Sequence, residues 1–181
     1  MKALYLAAAL ATFSAPVMAQ TTTSPAAISE LTAKSFVKMA GVSNMFELQT
    51  SQLAIKKSKN GDLKTFASQM VKDHNKLRSE LETLVTNGGA EKRQVPTRLD
   101  AEHAQKLKQL QSALGDDFDR SYKQMQVDAH QQAVSLFQSY SQQGDDAMLK
   151  AWAATTLPTL QQHLEQAQNI QLTEQTGSLP Q

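Results

Sequence analysis

An all-α fold is predicted for this 181-residue chain: an antiparallel four-helix bundle with one short extra helix between the second and third long helices. Three observations predict it. From Thr32 onward the composition is rich in Ala, Leu, Lys, Gln, Glu and Met, all strong helix formers. Glycines punctuate this stretch at Gly61, Gly88-Gly89, Gly115 and Gly144, leaving segments of helix length between them. No run of β-branched alternation is long enough for a strand.

The chain opens with "MKALYLAAALATFSAPVMAQ". Lys2 supplies a positive start, Ala3 to Phe13 an apolar stretch, and Val17-Met18-Ala19 a small-residue cleavage pattern. Residues 1–19 are therefore read as a signal peptide cut after Ala19. The apolar run is too short to span a bilayer, and no later run is long enough, so no transmembrane segment is expected after cleavage. A periplasmic location follows. Residues 20–32, "TTTSPAAISEL" at their centre, read as a flexible arm.

The bundle domain is placed at 33–172. Long helices are expected at 33–58, 62–86, 116–143 and 146–172, with the short one at 99–113. Asp62, Asp100, Asp116 and Asp145 mark helix starts, where a carboxylate satisfies free N–H groups and the helix dipole. The glycines are read as helix stops in the left-handed conformation. "AEKRQVPTRLD" with Pro96 is a connection, and residues 173–181 a disordered tail. Short links between long amphipathic helices make antiparallel neighbours. An extended rod or a coiled-coil oligomer is the alternative that the glycine breaks disfavour.

Composition removes several functions. The chain has no cysteine, which excludes disulfides, thiolate metal sites and a cysteine nucleophile. Its 18 basic residues fall to 17 with the loss of Lys2, balancing 17 acidic ones. A neutral domain without a basic stripe argues against nucleic acid. No nucleophile elbow or phosphate loop is present. Partner identity and oligomeric state are left open.

Each long helix carries one titratable residue in an otherwise apolar or small-residue seam. The first reads Phe36, Ala40, Ser43, Glu47, Thr50, Ala54; the second Leu63, Ala67, Met70, His74, Leu77, Leu81. The third reads Val127, His130, Val134, Phe137 beside Phe118, Tyr122, Met125, Ala129. The fourth reads Leu149, Ala153, Thr156, Leu160, His163, Ala167. His103, in the charged run "DAEHAQK", falls outside the set and is expected to be solvated. Glu47 lies 14 residues before Gly61 and His74 13 after it. His74 lies 14 before Gly88 and His130 15 after Gly115, so these three share a height to within a few ångströms. His130 lies 14 before Gly144 but His163 19 after it, an excess of ~7 Å.

Two readings of the four polar residues stand. A buried imidazole needs partners for both nitrogens and a buried carboxylate needs positive charge. One divalent transition metal ion (Zn, Cu or Fe, with Ni also suited to these donors) held by Glu47, His74, His130 and His163 meets both needs. Asp73 and Asp128 would then support or extend the ligand set. Alternatively Glu47 pairs with the histidines, helped by Ser43, Thr50 and Thr156, in a network that only fixes helix register.

Other features are read as structural. Pro158 deletes a hydrogen bond in the last helix and should bend it. Trp152, Tyr122 and Tyr140 are core residues, Met39, Met45, Met70, Met125 and Met148 fill gaps, and Gly41 allows a close approach.

The stretches "FVKMAGVSNMFELQTSQLAIKKS", "LKTFASQMVKDHNKLRSEL", "FDRSYKQMQVDAHQQAVSLFQ" and "LKAWAATTLPTLQQHLEQAQ" resemble the exported bacterial "domain of unknown function 4142" family over about residues 34–170. The resemblance implies a ferritin-like four-helix bundle in the cell envelope and no established activity. Glu47, Asp73-His74, His130, Leu157-Pro158 and His163 sit at that family's motif positions. Di-iron bundles use paired Glu-x-x-His motifs, but Val71, Val127 and Leu160 precede the three histidines here. That departure argues against ferroxidase chemistry. Three function classes remain: a metal-binding envelope protein, an interaction or stress-protective module with a structural polar core, and a redox enzyme using an open position on the metal.

Overall fold

The protein is described here by a computed structural model covering residues 31–87 and 94–172. The expected signal peptide, residues 20–30 of the arm, the Gly88-Gly89 break and the 173–181 tail lie outside the described residues. Five helices follow in order: α1 Ala33–Lys57, α2 Gly61–Asn87, α3 Ala101–Ser112, α4 Gly115–Gln143 and α5 Ala147–Asn169. No strand occurs among the described residues.

Polar side chains start these helices as the sequence chemistry dictates. The Thr32 hydroxyl accepts from Ser35 N at 3.3 Å, Asn60 Oδ1 from Leu63 N at 2.9 Å, and Asp100 Oδ1 from His103 N at 2.9 Å. Asp146, not Asp145, caps α5, taking the N–H groups of Met148 and Leu149. Asp145 works across the bundle instead. Its Oδ1 accepts from Ala33 N at 2.7 Å and from the Tyr140 hydroxyl at 3.0 Å, pinning the start of α1 to the end of α4. Asp145→Ala leaves both donors without this acceptor, and an expected loss of about 1–2 kcal/mol is measurable by urea unfolding.

The helices do not stop on left-handed glycines. The one glycine with positive φ among the described residues, Gly115 at 54°, opens α4. Helices α1, α3 and α4 instead run into the extended residues Ser58, Ala113 and Gly144, whose N–H groups still bond back four residues. Gly144 is required for space: a Cβ there would lie 2.7 Å from the Tyr140 ring.

Contacts fix the register. Phe36 stacks on Tyr140, Thr50 meets Gln126, Ser51 meets Tyr122, and Lys57 Nζ reaches the carbonyl oxygen of Ala113. Rising numbers on α1 thus face falling numbers on α4. Asn60 with Gln171, Asp73 with His163, and Glu80 with Trp152 give the same antiparallel order for α2 and α5. The four long helices close a ring in which α1 touches α2 and α4, and α5 touches α2 and α4. Because α2 and α4 then point the same way, the link between them must run the length of the bundle. It does so along α1, with Val95-Pro96 on Gly41, His103 on Phe46 and Ala113 at Lys57. The close approach at Gly41 is therefore to this link and not to a helix.

Two apolar clusters fill the ring. One gathers Phe36, Leu81, Phe137, Tyr140, Leu149 and Leu160, the other Leu63, Phe66, Met70, Leu110, Phe118 and Tyr122. Each large side chain here removes roughly 1.5–3 kcal/mol worth of apolar surface from water. Between the clusters the buried residues are polar: Glu47, Thr50, His74, Gln126, His130 and His163.

Candidate metal centre

Glu47 on α1, His74 on α2, His130 on α4 and His163 on α5 meet in this layer, each at most 2% exposed. The ring centroids of the histidines are 5.4–5.7 Å apart. One nitrogen from each lies within 4.8 Å of the others. The ~7 Å excess expected for His163 does not separate it from the group. Gly144, Asp145 and Asp146 lie outside both helices, so counting from helix ends leaves an excess of three residues, or ~4.5 Å. Helix α5 runs through Pro158 without a break, although proline offers no N–H to the Ala154 carbonyl.

The far nitrogen of each ring is tied to an oxygen. His130 Nδ1 lies 2.8 Å from the Gln126 backbone carbonyl, and His163 Nε2 lies 3.0 Å from Asp73 Oδ2. Both oxygens only accept, so these two nitrogens carry the hydrogens. His74 Nδ1 lies 2.9 Å from Asn44 Oδ1 and donates likewise. In the neutral tautomers this leaves lone pairs on His74 Nε2, His130 Nε2 and His163 Nδ1, all turned to the interior.

Glu47 completes the layer. Its Oε1 accepts from the Ser43 hydroxyl at 3.0 Å. Its Oε2 lies 2.8 Å from His74 Nε2 and 3.2 Å from His130 Nε2. Those are ion-pair distances, at which a proton or a cation must lie between the carboxylate and the ring nitrogens. Glu47 Oε2, His74 Nε2, His130 Nε2 and His163 Nδ1 are all buried without a hydrogen-bond partner. Four buried donor atoms without hydrogen bonds, one from each long helix, are a costly arrangement unless a proton or a metal ion lies among them.

Electrostatics agree. Burial opposes ionisation of Glu47, but the facing His130 and His74 outweigh it and hold the carboxyl at about 2. Burial, then the neighbouring His74, lowers His163 to about 4, against the pull of Asp73. Burial also lowers His130, against the attraction of Glu47. The charges of the layer are therefore coupled: positive imidazoles at His130 and His74 favour the Glu47 carboxylate, while burial acts against charge on His130 and His163, and a cation among the donors would take over the role of the protons.

Asp73 is half-buried and accepts from both Gln69 and His163, so it orients that ring. Asp128 is not brought to the layer: it is exposed, and its Oδ1 accepts from Gln124 on its own helix. His103 is not fully solvated but half-buried, with its ring edge-on to Phe46 at 5.1 Å and Nδ1 on Asp100.

Two contributors escaped sequence reasoning. Asn44 lies beside the α1 seam and carries no local signal. Gln126 is fully buried, bonded through Nε2 to Thr50 Oγ1. The row Phe118, Tyr122, Gln126, His130 at four-residue spacing signals it, because that row, and not Met125 and Ala129, faces inward.

The profile of the family described as "Domain of unknown function (DUF4142)" matches residues 17–170. No curated protein matches the chain. Similar solved structures include CopM in the Cu(II)-bound form, at 17% identity and TM-score 0.64, with 76% of this chain and 93% of that one covered. CopM in the Cu(I)-bound form matches at 19% identity and TM-score 0.62, covering 75% and 91%. An Ag-bound form matches at 20% identity and TM-score 0.61, covering 76% and 93%. At these identities the likeness concerns the fold.

Proposed function

The chain belongs to the DUF4142 family, whose description carries no activity, and from that premise we propose that it is an exported protein binding one transition-metal ion in its bundle core. His74 Nε2, His130 Nε2 and His163 Nδ1 are the ligands, with Glu47 Oε2 as the charged fourth. One observation carries this reading: four buried donor atoms converge without hydrogen-bond partners, while the opposite nitrogen of every imidazole is held by an oxygen. Metal-ligating histidines use this outer bonding to fix tautomer and ring orientation.

The donors fit such an ion. At bond lengths of ~2.0–2.2 Å two ligands of one ion are at most ~4.4 Å apart. Each histidine offers one nitrogen within 4.8 Å of the others; three ligands of one ion at these bond lengths are spaced at ~3.3–3.8 Å, so the rings close on an ion by shifts of under ~1 Å. Imidazole and carboxylate suit Cu(II), Zn(II), Ni(II) and Fe(II), and the intrinsic affinity order places Cu(II) first. Copper is also the ion named in two of the similar CopM structures. The signal-like N-terminus supports export, and no described helix is long and apolar enough to cross a membrane.

The test is titration of metal-free protein with Cu(II) and Zn(II), read by calorimetry and elemental analysis after gel filtration. We expect one equivalent per chain, lost in a His74→Ala/His130→Ala double variant. Metal-free protein after both titrations overturns the reading. The 2.8 Å approach of Glu47 to His74 favours a second reading, in which a proton on His74 replaces the ion and the layer is purely structural.

A further inference from the structure

The donor layer lies between two apolar clusters, which oppose passage of a cation along the bundle axis. An ion therefore reaches it from the side, past one of the groups that hold the outer atoms. Those groups differ. Behind Glu47 stands the neutral Ser43 hydroxyl. Behind His130 stands the backbone carbonyl of Gln126, a residue with no exposed surface. Behind His74 stands Asn44, a neutral amide that shares a small cavity with the cationic Arg78. Behind His163 stands the carboxylate of Asp73, whose side chain is 23% exposed where that of His163 is only 2%. Of the four, Asp73 alone carries a charge that attracts a cation and shows it to water.

Asp73 and His163 also stand at the loosest joint of the ring. Helices α2 and α5 touch over less of their length than any other neighbouring pair of long helices. Hydrogen bonds pin them at Asn60–Gln171, Asp73–His163 and Glu80–Trp152. Between the first two pins lies an open groove of about 760 Å³, lined by residues that include Asp62, Phe66, Gln69, Gln162, Glu165 and Gln166. No lysine or arginine among the described residues lines it, so its field is that of two carboxylates. Gln69 carries the groove to the layer: its Nε2 donates to Asp73 Oδ2 at 2.6 Å, and the same oxygen lies 3.0 Å from His163 Nε2. Lys72, exposed and outside the groove, sets an opposing charge beside Asp73.

Resting on the metal reading above, we propose that the ion passes between α2 and α5, and that Asp73 is the residue that captures it from solvent. The carboxylate exchanges its bond to His163 Nε2–H for the hydrated cation. The freed ring then turns aside, against few apolar contacts at this joint. Its return brings Nδ1 onto the ion inside the layer. Asp73 thus governs how fast the ion arrives, a role separate from holding the His163 ring in place.

The experiment uses the metal-free full chain and Cu(II), or Zn(II) should the titration above favour it. Uptake is followed by stopped flow with a coloured metal indicator, and release separately after excess EDTA. Asp73→Asn keeps an oxygen that can accept from His163 and removes the charge. It should take up one equivalent but slow uptake by roughly fivefold or more at low salt. The difference from the parent should shrink at about 0.5 M salt, where charges are screened beyond ~4 Å. Should this variant fail to fold, as judged by circular dichroism, Lys72→Gln decides. It removes the opposing charge and should speed uptake about twofold at low salt, and an unchanged rate overturns the inference. Parental uptake with faster release in Asp73→Asn marks a residue that only orients the ring, and overturns it too. So does a slowing that is equal at every salt concentration. Each of these leaves the metal reading intact, whereas a parent that takes up no metal overturns both.

Discussion

Saturating the core with its preferred ion should raise the thermal midpoint by on the order of 10 °C. An ion that binds only the native state at a thousandfold excess over Kd adds about 4 kcal/mol. For a bundle of this size each kcal/mol moves Tm by a few degrees. The native chain offers the ion four converging donors, and the unfolded chain scatters them over more than a hundred residues from Glu47 to His163. The effect should vanish in the His74→Ala/His130→Ala variant. A sharper control replaces the whole layer, as Glu47→Leu/His74→Leu/His130→Leu/His163→Leu. A buried charge cluster exchanged entirely for apolar residues is often neutral or stabilising. The quadruple variant should therefore melt, metal-free, at or above the parent, with no response to metal. A metal-independent Tm in the parent would show that the layer serves the fold alone.

Acid should unfold the metal-free protein in two overlapping stages. Burial holds His163 at about 4 against its usual 6.5, so between those values the unfolded chain takes a proton that the native state refuses. Stability therefore falls as pH drops from 6.5 to about 4, by ~3 kcal/mol for this group. His130 is lowered as well, chiefly by burial, and adds in the same direction. Glu47, held at about 2 against 4.5 by His130 and His74 despite its burial, extends the loss from pH 4.5 downward. Urea midpoints measured from pH 7.5 to 3.5 should decline throughout this range. His163→Gln removes one titrating group and should flatten the slope between pH 6.5 and 4. An unchanged slope would mean that His163 does not refuse its proton in the native state. At fixed metal concentration the decline should be at least as steep at every pH, because the ion keeps protons off the native nitrogens and its own contribution is lost as protons displace it.

Helical segments were legible because their signals are local. Composition and the 3.6-residue period place α1, α2, α4 and α5 within a few residues of their observed ends, and Asp100 opens α3 as a cap should. Glycine was misleading as a stop signal: the chain leaves three helices through extended residues, and Gly144 is present because Tyr140 occupies the space of a Cβ. Asp145 was misplaced by one residue, since which of two adjacent aspartates caps α5 depends on where Ala33 and Tyr140 come to lie.

The sequence by itself determined that each long helix buries one glutamate or histidine, because burial on an amphipathic helix is set by spacing along that helix. Only the tertiary structure decided which atoms face one another. The partners of the four seam residues come from turns with no pattern of their own: Asn44 beside the α1 seam, the Gln126 carbonyl on α4, Asp73 but not Asp128. Hydrogen-bond direction and ring tautomer depend on distances between helices, and those are set when the two apolar clusters close around the layer.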